Sequence, residues 1–459
     1  MKPREQRETG QEDLFRSRLD QIIDLKHPLV KLRRQMDWPF LEKTYGAVYT
    51  DVAGRPPLPT QLMAGLEILK YAYNLSDERL CEAWLENPYF QYFCGEEFFQ
   101  HTLPFDRSSM TRWRQRMGEE KLKALLQESL AVAVKTEALK PAQLTEVVVD
   151  TTVQPKNVMF PTDAKLINRA RERLVRLAKK HGVALRQTYS RVGKLALIKH
   201  QRYAHAKQFK RAGKFLRKLK TYLRRTIRDL ARKIAGDKLL KPVFAKSLSL
   251  SYRVLTQKKR QKAPKVYSLH APEVECIGGA NVYRERQALT NGKAHKPYEF
   301  GVKVSLATTI APSKGGQFIV HTKALPGKPY DGHTLESVIP DIEATTGGAL
   351  SRILADAGYK GHKTPPGYKF KVYTQGQKRG VTEAIKRQFS RRAAIEPVIG
   401  HTKSEHRMER NYLAHRTGDA ANAVLAAAGY NFRRLMAWLA LILRLLMQAF
   451  SCELALQKA

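Results

Sequence analysis

Apolar residues in the first 145 positions recur at helical spacing, as at Leu62, Leu66, Leu69 and Tyr73, and Ser76 with Asp77 marks a helix start. A helical N-terminal domain over residues 1–145 is expected. Inside it, DRSSMTRWRQRM (residues 106–117) offers Ser108 as an N-cap to a short basic helix. That composition suits either a helix-turn-helix recognition element or a solvated helix face. The pattern then changes. Glu146–Val153 (EVVVDTTV) is β-branched without alternation, the mark of a central strand covered on both faces, and its apolar part closes on Asp150. Strand-like runs return at Tyr298–Ala307 and Gln317–Leu325, and a helix is predicted over Thr334–Ala344. Ser351–Asp356 (SRILAD) is a second short apolar strand ending in an aspartate. Tyr368–Tyr373 alternates, and one long helix should run from Val381 to about Lys403, kinked by Pro397. Strands and helices in this order make a mixed α/β layer arrangement.

Charge divides the chain further. Its 459 residues carry 82 Lys and Arg against 42 Asp and Glu, a formal net charge of +40, and so call for a polyanionic partner, nucleic acid before an anionic membrane surface. Residues 156–265 hold 34 Lys and Arg against 4 Asp and Glu, which is 30 of those net charges. We read residues 157–265 as a basic helical insertion after the first strand. Its helices should cover Ala164–Lys180 and Ala206–Ile234, interrupted at Gly182 and Gly213, with Arg217, Lys218, Arg224 and Arg225 as candidate DNA-backbone contacts. The bland alternative is a set of solvated helices. His200 and His205 belong to this basic surface, with no Cys or acid nearby to make a zinc site.

The N-terminus is charged throughout and lacks the apolar core of a signal peptide. Leu435–Leu443, between Arg434 and Arg444, is too short to span a bilayer and reads as a buried helix. Cys81, Cys94, Cys276 and Cys452 form no C-x-x-C pair, which argues against a zinc module or a disulfide framework. These features favour a reducing cytoplasm.

One aspartate at a strand end is usually a turn or cap residue. Two of them on neighbouring strands of one sheet would stand side by side, and their repulsion would require a cation. Hard oxygen ligands select Mg2+ or Mn2+. At about 100° per residue, Phe389, Arg392, Glu396 and Lys403 fall on one helical stripe. Glu396 could thus complete a cluster for two ions with Asp150 and Asp356, while Arg392 and Lys403 grip phosphates. The alternative is an amphipathic helix with a surface Arg–Glu pair.

The spacing from Phe389 to Lys403 resembles the Y-R-E-K signature of bacterial insertion-sequence transposases of the fourth and fifth families. VVVDTT around Asp150, FPTDAK (160–165), KPYEFGVKV (296–304), YDGHT (330–334), ADAGYKG around Asp356, RAAIEPVIGHTK (392–403) and the N-terminal PTQLMAGLEILKYAYNLSDERL extend the resemblance over most of the chain. It implies an RNase H-like mixed sheet flanked by helices, formed by residues 146–156 and 266–415, with residues 416–459 as a C-terminal helix. It also implies catalytic and metal-binding roles for Asp150, Asp356 and Glu396, two Mg2+ or Mn2+ ions, and cleavage of element ends with transfer of the 3′-hydroxyl to target DNA. The partner would be double-stranded DNA, bound by a homodimer at the bacterial nucleoid. Two departures stand out: Phe389 replaces the signature tyrosine, and GANVYRERQALTN (279–291) is an added segment. They keep a catalytically silent DNA-binding regulator open as an alternative, beside an RNase H-like nuclease that cuts without joining. His333 in YDGHT either approaches the active site or belongs to a capping turn around Asp331 and Thr334.

Overall fold

A computed structural model describes residues 17–49, 56–258, 261, 265–278 and 298–456, with side chains through residue 441. The added segment 279–291, the first residues of the KPYEFGVKV block and the side chain of Cys452 lie outside that description. Two compact units emerge, one of residues 1–155 and 302–459, the other of residues 156–301.

The first unit opens with helices α1 (Leu19–Ile22), α2 (Pro28–Gln35), α3 (Trp38–Gly46), α4 (Thr60–Ala72), α5 (Asp77–Glu86), α6 (Pro88–Phe93) and α7 (Ser108–Lys135). Helix α5 starts as its sequence predicts, with the Ser76 side chain accepting from Arg79 N–H. At α7 the expectation is corrected: Ser108 is already helical, and the Asp106 carboxylate accepts its N–H at 2.8 Å. Helix α7 continues across a kink at Gly118, where φ is 65°. Met110, Trp113, Arg114 and Met117 turn inward, leaving Arg112 and Arg116 exposed.

Arg114 anchors a buried ion network. Its guanidinium meets Glu67 at 2.8 Å and Asp77 at 2.8 Å, while Lys70 reaches Asp77 at 2.7 Å. Burial raises the Glu67 carboxyl against the pull of Arg114. Burial acts the same way on Asp77 but is outweighed by Lys70 and Arg114, which hold it well below the usual carboxylate range.

Strands β1 (Glu146–Pro155), β3 (Tyr298–Thr309), β4 (Ile319–Leu325), β5 (Arg352–Ala355) and β6 (Val372–Thr374) follow, with β2 (Glu275–Gly278) in the second unit. Strand β1 lies between β3 and β5 in a mixed sheet, parallel to β5, which is parallel to β6; β4 is antiparallel to β3. Val147, Val148 and Val149 are fully buried, as a strand covered on both faces demands. The rest of this unit is helical: α12 (Asp331–Thr346), α13 (Glu383–Arg392), α14 (Ile395–Glu405) and α15 (His415–Leu456). Asn431 on α15 exchanges hydrogen bonds with both the N–H and the carbonyl of Ile319 on β4. Gly429 lets α15 approach α4, since a Cβ there would stand 2.5 Å from that of Tyr71.

The second unit packs its own core with α8 (Asp163–Lys180), α9 (Ser190–His205), α10 (Phe209–Lys233) and α11 (Leu240–Thr256). Gly213 does not interrupt α10, contrary to expectation; burial of Leu219, Leu223 and Leu230 on one face outweighs the roughly 1 kcal/mol helical cost of a glycine. The break falls at 206–208, where Lys207 is left-handed. No helix among the described residues is long and apolar enough to cross a membrane.

Arg114→Ala leaves Glu67 buried without its cation, and should destabilise the chain by about 3–5 kcal/mol. Urea unfolding measures it, and a loss below about 1 kcal/mol would show that the network is solvated.

Candidate active site

The parallel register of β1 and β5 sets the site. Val147 pairs with Ile353, Val148 with Leu354 and Val149 with Ala355, so Asp150 and Asp356 are the next residues on adjacent strands. Each carboxylate accepts from the N–H that follows it, Asp150 from Thr151 and Asp356 from Ala357, both at 2.7 Å. Asp356 thereby caps the short 3-10 turn Ala357–Tyr359. Burial pushes the Asp150 carboxyl up to about 6; the negative charges of Asp356 and Asp331 add to the rise, and the Thr151 N–H and Arg392 oppose it. Two hard-oxygen donors on neighbouring strands, one of them with its carboxyl raised by burial, suit a divalent cation.

Helix α13 is fixed to these strands by a polar bridge. Arg352 on β5 reaches Glu146 on β1 at 2.8 Å and the Gln388 side-chain carbonyl at 2.7 Å, and the Gln388 amide returns to Glu146 at 2.9 Å. One turn later Arg392 brings its guanidinium to 3.9 Å from Asp356. The single helix expected over residues 381–403 is corrected to two. Pro397 has no N–H to give, and in a continuous helix its ring would clash with the Ala393 carbonyl. The helix therefore stops at Arg392 and restarts at Ile395, which puts Pro397 in a first turn whose N–H groups need no partner. Ala393 and Ala394 keep right-handed dihedrals between the two.

Glu396 lies exposed in the first turn of α14, and Lys403 is half-buried in its last turn. Phe389 packs against the main core. Among the described residues no three His, Cys, Asp or Glu side chains are grouped to hold a metal. The structure thus brings Asp150, Asp356 and Arg392 together and leaves Glu396 outside a finished cluster. Arg217, Lys218, Arg224 and Arg225 are exposed on α10.

Asp331 is the residue that sequence reasoning missed. It opens α12 without capping it; its Oδ1 accepts from the Thr151 hydroxyl at 2.8 Å and pairs with the Lys303 ammonium at 2.5 Å. It therefore ties β1, β3 and α12 at the residue after Asp150. Gly332 packs beneath the Asp356 turn, where an added Cβ would meet the Tyr359 carbonyl at 3.1 Å. His333 is exposed and rests its ring on Tyr330. The signal in sequence was the YDGHT block itself, whose acidic residue passed for a cap.

The family model for a transposase domain (DUF772) matches residues 17–116. An uncharacterized protein, ORF8 in the nfe locus of Rhizobium meliloti, is 49% identical over 201 residues, covering 44% of this chain and 97% of that protein. Residues 17–116 thus belong to a transposase-domain family, and the chain shares a family with that uncharacterized protein. The transposase domain so matched ends within α7, ahead of β1, so Asp150 and Asp356 lie beyond it. No solved structure matches the chain.

A carboxyl raised from its ordinary value to about 6 stabilises the fold at low pH and loses that contribution as pH climbs through 6. Asp150→Asn, which keeps the acceptor for Thr151, should accordingly be more stable than the parent at pH 7.5 in chelator, by about 1–2 kcal/mol, and no more stable near pH 4. Urea midpoints at the two pH values check this; a gain equal at both would contradict the assignment.

Proposed function

We propose that the chain is a DDE transposase that binds the terminal inverted repeats of an insertion sequence, cleaves at its ends and transfers the 3′-hydroxyl to target DNA. The observation that carries the reading is the pairing of Asp150 and Asp356 on parallel strands, beside Arg392, in a chain with a transposase domain. We read the fold as RNase H-like on the same ground: a mixed sheet with antiparallel β3 and β4, the two acids on β1 and at the end of β5, and a following helix that carries Glu396.

Asp150 and Asp356 would hold Mg2+ or Mn2+, with Glu396 as the third ligand. Such ions supply charge to polarise the scissile phosphate and to lower the pKa of an attacking water. Arg392 stands beside Asp356, and with Lys403 it would bind the flanking backbone. Asp331 steadies Thr151, and through it the stretch of β1 next to Asp150. The basic insertion, Arg217, Lys218, Arg224 and Arg225 included, follows phosphates without reading bases. Double-stranded DNA is the partner, a homodimer the working form, and the bacterial nucleoid the setting.

A second reading, a catalytically silent DNA-binding regulator, draws on Phe389 and on the lack, among the described residues, of any group of three acids or other ligands placed to hold a metal. Metal-dependent cleavage of the element's ends by the parent protein separates the two. Strand transfer of a pre-cut end then tells a transposase from a nuclease that only cuts. Asp150→Ala, Asp356→Ala and Glu396→Ala should each abolish cleavage while end binding persists. Undiminished cleavage by the Asp356 variant would sink the proposal.

A further inference from the structure

In the second unit, the loop between α8 and α9 and the C-terminal half of α10 line an open cleft of about 890 Å³. Arg225, Arg228 and Arg232 line it from α10, at spacings of three and four residues that put them on one helical face. Arg186 and Tyr189 line it from the loop. The opposite face of α10 is buried through Leu219, Leu223 and Leu230, so the arginines are held outward by the packing of their own helix. The one acid in the lining, Asp229, is already engaged: it accepts the Arg186 N–H at 2.8 Å, stands 3.6 Å from Arg232 and 3.9 Å from Lys233. It fastens the loop to α10 and leaves Arg186, Arg225 and Arg228 without an ion-pair partner among the described residues. Tyr189 stacks on Tyr222 with ring centres 4.8 Å apart and has a left-handed backbone, φ 53°. Such a conformation in a side-chain-bearing residue costs about 1 kcal/mol or more and persists where packing enforces it.

Three uncompensated guanidinium groups converging on one concavity repel one another, and the arrangement is relieved by an anion that all can reach. Planar guanidinium groups match phosphate oxygens two at a time. We propose that this cleft is a discrete phosphate-binding site that clamps the DNA backbone through Arg186, Arg225 and Arg228, with Asp229 and the Tyr189–Tyr222 stack holding its walls. The inference rests on DNA being the partner of the basic insertion, and it narrows diffuse electrostatic attraction to one place.

The full chain is titrated with a fluorescent duplex of the element's end across a salt series. Arg186→Ala, Arg225→Ala and Arg228→Ala combined are compared with Lys238→Ala, Lys241→Ala and Lys246→Ala, which removes three exposed positive charges elsewhere in the same unit. The cleft variant should lose about tenfold or more in affinity and flatten the slope of log K against log salt by about 2–3, against less than about 1 for the lysine variant. Replacing the same three arginines by Lys should restore part of the slope but not the full affinity, because charge returns without the planar fork. Equal losses in the alanine and control variants would overturn the cleft while leaving the DNA reading intact. A parent protein that does not bind the duplex at all would overturn both.

Discussion

The in-register parallel pairing of β1 with β5 is the constraint on which the site depends. Side chains along a strand alternate between faces, so a slip of one residue would send Asp150 and Asp356 to opposite sides of the sheet. What fixes the register is burial: Val147, Val148 and Val149 on one strand and Ile353, Leu354 and Ala355 on the other are all excluded from solvent. A slip would trade these contacts for polar groups at either end. The carboxylates are therefore positioned by the apolar residues that precede them, and their mutual repulsion is borne by the hydrophobic energy of the strands.

Charge is treated in two distinct ways along the chain. Around Arg114 every buried ion has a partner, and Asp331 is likewise answered by Lys303. These pairs rigidify. At Asp150 and in the arginine cleft, like charges are gathered and left short of counter-ions. A fold that compensates buried charge so thoroughly around Arg114 leaves Asp150 short of it and turns the cleft arginines to solvent, and those are the places where an external ion finds its energy.

Much of this was legible because hydrophobic pattern decides it. The valine run of β1, the apolar SRILA before Asp356 and the cap at Ser76 are local signals, and the structure follows them. Where outcomes rest on competition between local and tertiary terms, the sequence misleads. Gly213 is helical because the leucines of α10 bury a face, and Ser108 yields its capping role to Asp106, two residues earlier. Pro397 was visible, but its effect appears upstream at Ala393, since the clash is with the carbonyl four residues back. Asp331 was not legible as part of the site, because its partners Thr151 and Lys303 are joined to it only by the sheet. The placement of Glu396 depends on how α14 follows the break, which no spacing rule encodes.

The basic insertion raises a last question, how so charged a segment can interrupt a sheet. Its entry and exit answer it. Lys156, just past β1, donates its N–H to Phe300 on β3 at 2.9 Å, and β2 pairs with residues 298–301. The chain thus leaves and returns at neighbouring points, so the loop-closure cost of some 145 intervening residues has already been met by strand pairing. The segment also has its own apolar core, from Ile167 and Leu174 to Phe244 and Val254. Its 30 excess charges need no neutralisation by the sheet, because they lie on a body that folds around its own leucines and can be kept for an anion from outside.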